Sequence, residues 1–395
     1  MSIGLPTMTP HLAVDLQYYP THQALLAEGE YLRLGTPSAV QAFRADPQIP
    51  LQDFLNYFLI QRAQGPEYAT YGARLEQIDQ SIIWMRNAIS TAGTVNTLAS
   101  GDRMQEAVGE AISLSVANRL FGLTQADWRT IPIQRGRAAH KTFDFEMTWD
   151  GVCAAGDIIQ IEAKGSFVKD NTIDQAAVNA QAGKIVKKKK SIQTSSGYRH
   201  PAAARYGMIA SIDPMNKARC WLLDPPGDQY AGDPLNLKVA NRLEFVAFVL
   251  SMIAPKAKFP SALKLRAGQW RDGAVAENAG ALVSRRRHSF AAGYYVEDFL
   301  SKGKVLRNSG DVLGQFFVGK LGKPFFIGIR TDLVRTAINQ NRTEIVKSLY
   351  TPTTERETLR VNAVRWGLAR REDRGRMSFD FHTSSSGVIL GLPAL

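Results

Sequence analysis

An α/β sandwich is the fold class that the middle of this chain predicts, and three observations predict it. A long helical pattern runs from Arg103 to Phe121, two neighbouring segments alternate apolar and polar residues, and a second helical pattern is followed by two further strand signals. Gly122 is a natural stop for the first helix. A short strand is expected around Ile131 to Gln134. The next, KTFDFEMTW, sets Phe143, Phe145, Met147 and Trp149 on one face and Thr142, Asp144, Glu146 and Thr148 on the other. In the third, DIIQIEAK, Ile159, Ile161 and Ala163 share one face while Gln160, Glu162 and Lys164 share the other. Helical sequence spans roughly Ile173 to Ile192, and the strands RYGMIASI and ARCWLLD are parted by the turn signal Asp213-Pro214.

The flanks read differently. Residues 1–100 form a mainly helical region, through QDFLNYFLIQRA and YGARLEQIDQSIIWMRNAIS, closed by the small polar run TAGTVNTLASGD. Residues 101–254 hold the sandwich, and the apolar stretch LEFVAFVLSMIAP, too short to span a bilayer and read as a buried helix, either closes this region or opens the next. Residues 255–395 form an α+β region, with a strand in FFIGIR and a helix in LVRTAINQNRTEIVKSLY. No internal repeat or low-complexity segment is found.

With 395 residues, 45% of them hydrophobic, each region can hold its own core. Lys and Arg number 48 against 36 Asp and Glu, a formal charge of +12 that favours polyanionic partners, nucleic acid or an acidic surface. The two cysteines, Cys153 and Cys220, form no CxxC or Cys/His cluster, so neither a disulfide framework nor a zinc module is expected. The stretch MSIGLPTMTPHLAVDLQYYP does not read as a signal peptide, and a cytoplasmic, non-membrane protein is expected. No histidine sits in an HExxH spacing and no nucleotide-binding glycine loop occurs, so ATP-driven activity would need a partner protein.

The chemistry concentrates on one hairpin. If the second and third strands pair across residues 150–156, which open with the turn signal Asp150-Gly151, Asp144 lies directly opposite Glu162, with Cβ atoms about 5 Å apart. Lys164 follows two residues on, on that same face. Two acids that close repel each other and want a cation between them, and hard Mg²⁺ takes oxygen ligands from one or two carboxylates plus substrate phosphate. A lysine beside the metal orients the attacking water and offsets charge developing on phosphorus. The alternative is an exposed hairpin face on which Glu162 and Lys164 are solvated partners.

FDFEMTWDG followed by DIIQIEAKGS resembles the PD-(D/E)xK, or restriction-endonuclease-like, nuclease superfamily. The resemblance covers about 120 residues from Met104 to Asp224, and Phe143 stands where the named proline would be. It implies a mixed central sheet flanked by helices, with Asp144, Glu162 and the backbone carbonyl of Ala163 as ligands of Mg²⁺, for which Mn²⁺ substitutes, and Lys164 serving the water. It also implies an acid from the helix before the sheet, for which Glu106 and Glu110 are candidates and Glu110, nearer the helix middle, is preferred. At about 100° per residue Glu106, Glu110, Ser113 and Ala117 form a narrow stripe, facing either a cleft or solvent. Gln175 and Gln181 lie on the following helix, where the family often carries a glutamine, and Gln175 is preferred as nearer the catalytic strand end.

The run Lys187, Lys188, Lys189 and Lys190 either contacts phosphate or is a solvated helix end that complements the helix dipole. A second basic cluster, Arg285, Arg286 and Arg287, belongs to the C-terminal region, which is expected to serve target recognition or oligomerisation. The resemblance implies a Mg²⁺-dependent DNA endonuclease of restriction or anti-phage defence, a repair or recombination nuclease being the alternative within that class. A non-catalytic nucleic-acid-binding protein on the same fold is the alternative outside it. A homodimer is expected, because double-strand cutting commonly needs two active sites.

Overall fold

The alternation in residues 145–167 becomes an antiparallel strand pair inside a seven-stranded mixed sheet. The computed structural model describes residues 11–64, 68–88, 102–131, 143–149, 157–171, 176–193, 202–213, 218–223, 234–255, 257, 259–275, 282, 304–306, 310–318, 324–360 and 376–394. Strands β1 (His11–Tyr18), β2 (Gln48–Pro50), β3 (Trp128–Thr130), β4 (Phe145–Trp149), β5 (Asp157–Phe167), β6 (Ala204–Ile212) and β7 (Ala218–Leu223) form this sheet. Their order is β2-β1-β7-β6-β5-β4-β3. The pairs β1–β7 and β5–β6 are parallel and the other four antiparallel.

Helices, in chain order, are α1 (Gly29–Arg33), α2 (Thr36–Ala45), α3 (Leu51–Leu55), α4 (Tyr71–Ala88), α5 (Asp102–Phe121), α6 (Ala176–Gln193), α7 (Pro234–Ile253), α8 (Phe259–Arg271), α9 (Thr331–Asn339) and α10 (Arg342–Lys347). Two compact units share them. One draws on His11–Phe58 and Trp84–Lys238 and carries the seven-stranded sheet; the other draws on Leu59–Ile83 and Val239–Leu395.

The region read as mainly helical, residues 1–100, carries α1 to α4 and, besides them, two strands, β1 and β2. β1 buries Leu12, Val14 and Leu16 in alternation, yet it forms as a strand by pairing in parallel with β7, Val14 against Ala218, some two hundred residues away. Strand β3 runs over Trp128–Thr130, where Thr124 and Asp127 form a reciprocal cap over the turn Gln125–Asp127 and the chain leaves that turn extended; of the strand expected at Ile131 to Gln134, only Ile131 is among the described residues. Trp128 is anchored there by Nε1, which donates to Asn118 Oδ1 at 2.9 Å. Residues 132–140 lie outside the described residues.

α5 rests on β5 backbone to backbone. A β-carbon on Gly165 would lie 2.1 Å from the Gln105 carbonyl oxygen, and one on Gly109 would lie 2.2 Å from the Gly165 α-carbon. Both positions therefore exclude every side chain. The glycine after Lys164 serves this contact, since residue alternation turns Gly165 to the face away from Lys164. Gly165→Ala is expected to cost about 3 kcal/mol, because neither helix nor strand backbone yields easily. Gly183→Ala in α6, where a β-carbon meets nothing within 4 Å, is expected to leave stability equal or raise it by about 0.5–1 kcal/mol. Urea midpoints of the two variants check both.

The second unit carries an antiparallel six-stranded sheet of β8 (Lys304–Leu306), β9 (Gly310–Val318), β10 (Pro324–Arg330), β11 (Thr353–Arg360), β12 (Arg376–Thr383) and β13 (Val388–Pro393), ordered β11-β12-β13-β10-β9-β8. Val312, Phe326, Phe379, Phe381 and Ile389 form one apolar cluster of its core. The helical pattern LVRTAINQNRTEIVKSLY divides into α9 and α10, because Gln340 takes a left-handed conformation (φ 58°) and Asn341 caps α10 through its side chain. The chain is thus mixed α/β, with one mixed and one antiparallel sheet. Among the described residues no helix is long and apolar enough to cross a membrane.

Candidate active site

β4 and β5 position the acids. Phe145 pairs with Ile161 and Glu146 with Gln160, and the same register sets Asp144, one residue before β4, level with Glu162. Asp144 is fastened at both ends. Its carbonyl accepts from the Ile131 amide at 3.1 Å, and its Oδ2 accepts from the Ala163 amide at 3.2 Å. The apolar partners Phe143, Phe145, Met147, Ile159, Ile161 and Ala163 are buried, so a one-residue slip would exchange core for charge, and the register is firmly set.

The arrangement that results is a ring of four charges. Lys164 Nζ lies 2.6 Å from Glu162 Oε1 and 3.3 Å from Asp144 Oδ2. Lys188 Nζ, from α6, lies 2.5 Å from Glu162 Oε2 and 3.3 Å from Asp144 Oδ1. Each ammonium bridges the two carboxylates. The Glu162 side chain is 2% exposed, whereas those of Asp144, Lys164 and Lys188 are 22–25% exposed, so the ring opens to solvent above a buried glutamate.

Burial, then the neighbouring Asp144 carboxylate, push the Glu162 pKa up, against the opposing pull of Lys164 and Lys188. Burial works to lower the Lys164 pKa, but the carboxylates of Asp144 and Glu162 outweigh it and hold the ammonium above the ordinary lysine range. Both carboxylates supply hard anionic oxygens, and an ammonium already stands where they converge. The donor set therefore suits a divalent ion such as Mg²⁺, which uses one or two carboxylates and keeps several waters.

Below the ring the same sheet face stays polar. Glu146 and Gln160 face each other, Arg205 Nε donates to Gln160 Oε1 at 3.0 Å, and Arg129 Nε stands 3.8 Å from Glu146 Oε1. Glu146, Gln160 and Arg205 are all buried.

The other expected site residues fall elsewhere. α5 covers the Gly165 side of the sheet and α6 the Lys164 side, where Val178, Ala182 and Ile185 pack with Ile209, Trp221 and Leu223. Glu106 is exposed and Glu110 half-buried on α5, while Ser113 and Ala117 of the same stripe are buried. Among the described residues no group of three or more His, Cys, Asp or Glu side chains gathers around a possible cation. Gln175 and the cluster Arg285, Arg286 and Arg287 lie outside the described residues, as does the loop 150–156.

Of the lysine run, Lys187 and Lys190 are exposed, Lys189 is half-buried, and Lys188 turns into the ring. Its helical position carries the signal: Lys188 lies three residues after Ile185 and four before Ile192, both buried, on the inward stripe of α6. No family model matches the chain, and no curated protein or solved structure matches it either.

Proposed function

We propose that the unit built on the seven-stranded sheet is a restriction-endonuclease-like core and that the protein is a Mg²⁺-dependent endonuclease hydrolysing DNA phosphodiester bonds. The observation that carries this reading is the convergence of Asp144, Glu162 and Lys164 at one point of one sheet face, with carboxylate oxygens 2.6 and 3.3 Å from the same ammonium. The surrounding order supports it: helix α5, strands β3, β4 and β5, helix α6, then β6 parallel to β5.

In this reading Asp144, Glu162 and the Ala163 carbonyl hold the metal, which when bound supplies a Lewis acid for water and phosphate. Lys164 orients the attacking water and offsets the charge that grows on the phosphorane oxygens. The strand backbone holds Glu162 and Lys164 two residues apart on one face, so little reorganisation accompanies reaction. The exposed Lys187 and Lys190, on the helix that carries Lys188, supply sequence-independent phosphate contacts, consistent with a formal charge of +12. The biological setting proposed is cytoplasmic restriction or anti-phage defence, with a repair nuclease as the alternative.

The test is incubation with supercoiled plasmid, linear duplex and single strands, with Mg²⁺ or EDTA, beside Asp144→Ala and Lys164→Ala. Cleavage that needs Mg²⁺ and is lost in both variants is expected. Metal-dependent cleavage surviving in both would sink the site. One observation favours a second reading, a non-catalytic nucleic-acid-binding protein: both acids already have ammonium partners. Salt-dependent DNA binding without cleavage of any substrate would favour it.

A further inference from the structure

We infer that the Lys188 ammonium is the internal occupant of the divalent-cation position, so that metal enters as Lys188 withdraws and this residue sets how tightly the site takes its ion. The inference rests on the nuclease reading for the identity of the ion, Mg²⁺ or Mn²⁺.

The geometry has three parts. All four carboxylate oxygens are engaged: Lys164 takes Glu162 Oε1 and Asp144 Oδ2, and Lys188 takes Glu162 Oε2 and Asp144 Oδ1. The ring is formally neutral, two acids against two ammoniums, so a divalent ion arriving at the acids gains their attraction but meets two positive charges at contact range. The two lysines then differ in their freedom. Lys164 is rooted on β5, two residues from Glu162, and its Nζ stays near that carboxylate wherever the strand is.

Lys188 is rooted on α6, reaches the acids along its four-carbon stem, and has a partly solvent-exposed side chain. Its apolar stem can lie along the inward face of α6, between Ile185 and Ile192, while the ammonium swings to water. Withdrawal leaves Asp144, Glu162 and Lys164, one net negative charge and the trio expected of the reaction. The freed ammonium remains at the mouth of the site, next to the phosphate a metal would share.

The measurement is Mn²⁺ binding to the full chain by isothermal titration calorimetry, without nucleic acid, for wild type, Lys188→Met, Lys188→Gln and Lys187→Met. Removing the competing charge is expected to tighten Mn²⁺ binding by about tenfold or more in both Lys188 variants, since close charges in a partly buried site interact strongly. Lys187→Met makes the same change in net charge from an exposed position and is expected to leave the affinity within about twofold of wild type, as screened surface charge does. Asp144→Asn combined with Lys188→Met is expected to lose the gain. Circular dichroism confirms that each variant is folded, and the glutamine variant keeps a polar group should methionine disturb the ring.

Equal or weaker Mn²⁺ binding in both Lys188 variants overturns the inference, as does the absence of binding in every protein, or an equal gain in Lys187→Met. Plasmid cleavage by the same preparations separates this from the nuclease reading. Tighter metal binding with no cleavage of any nucleic acid retains the cation role of Lys188 and removes the nuclease, whereas unchanged binding with metal-dependent cleavage does the reverse.

Discussion

On the proposed nuclease reading, Glu162→Gln is expected to lower Mg²⁺-dependent plasmid cleavage by roughly a thousandfold, and to cost about 3 kcal/mol of stability. Two effects combine because Glu162 is the shared partner of both ammoniums, at 2.6 and 2.5 Å, and is the buried member of the ring. The amide keeps the volume and loses the charge, which leaves Lys164 and Lys188 together on Asp144, whose side chain is 25% exposed. An unbalanced charge in a partly buried site is more costly than the intact pair is favourable. Single-turnover nicking of supercoiled plasmid reads the first effect and urea unfolding the second. Cleavage within tenfold of wild type would remove Glu162 from the metal ligands, and an unchanged urea midpoint would show that Asp144 alone balances both lysines.

Acidification is expected to weaken the unit with the six-stranded sheet, and His382 is the reason. Its side chain is buried on β12, with Nδ1 2.9 Å from Thr354 Oγ1 on β11, and burial lowers its pKa from 6.5 to about 4, against the smaller opposing effect of Asp380. Asp380 itself is held by two hydrogen bonds from Arg356, at 2.7 and 2.8 Å. The unfolded chain takes up the histidine proton below pH 6.5, whereas the folded chain resists until about pH 4. The stability due to neutral His382 is therefore full above pH 6.5 and declines as pH falls towards 4, by about 3 kcal/mol in all at 1.36 kcal/mol per unit. Urea unfolding of wild type and His382→Gln between pH 7.5 and 4.5 checks it. The wild type is expected to lose more stability over that range than the variant, and parallel pH dependences would refute the assignment.

The division between what local pattern reveals and what it hides is clear at particular residues. The two-residue alternation of FDFEMTW and DIIQIEAK determines which side chains share a face, because a strand has no other periodicity available. The register follows from the need to bury Phe145, Met147, Ile159 and Ile161 together. α5 was equally legible, from its unbroken helical pattern to Gly122, which takes a left-handed φ of 65°. β1 was not. Its alternation is present, but its partner β7 lies at the other end of the unit's sequence, and short-range signals carry no account of such pairing.

Sequence by itself determined that Asp144, Glu162 and Lys164 would gather on one face, because Glu162 and Lys164 are two residues apart on β5 and Asp144 immediately precedes the neighbouring strand β4. Tertiary structure alone decided that Lys188 would join the group. α6 and α5 cover opposite faces of the sheet, and the choice of face depends on crossover packing of Val178, Ala182 and Ile185 against β6 and β7. A lysine in a run of four is solvated by default; one turn of helix over a buried glutamate, set by that packing, made Lys188 the exception.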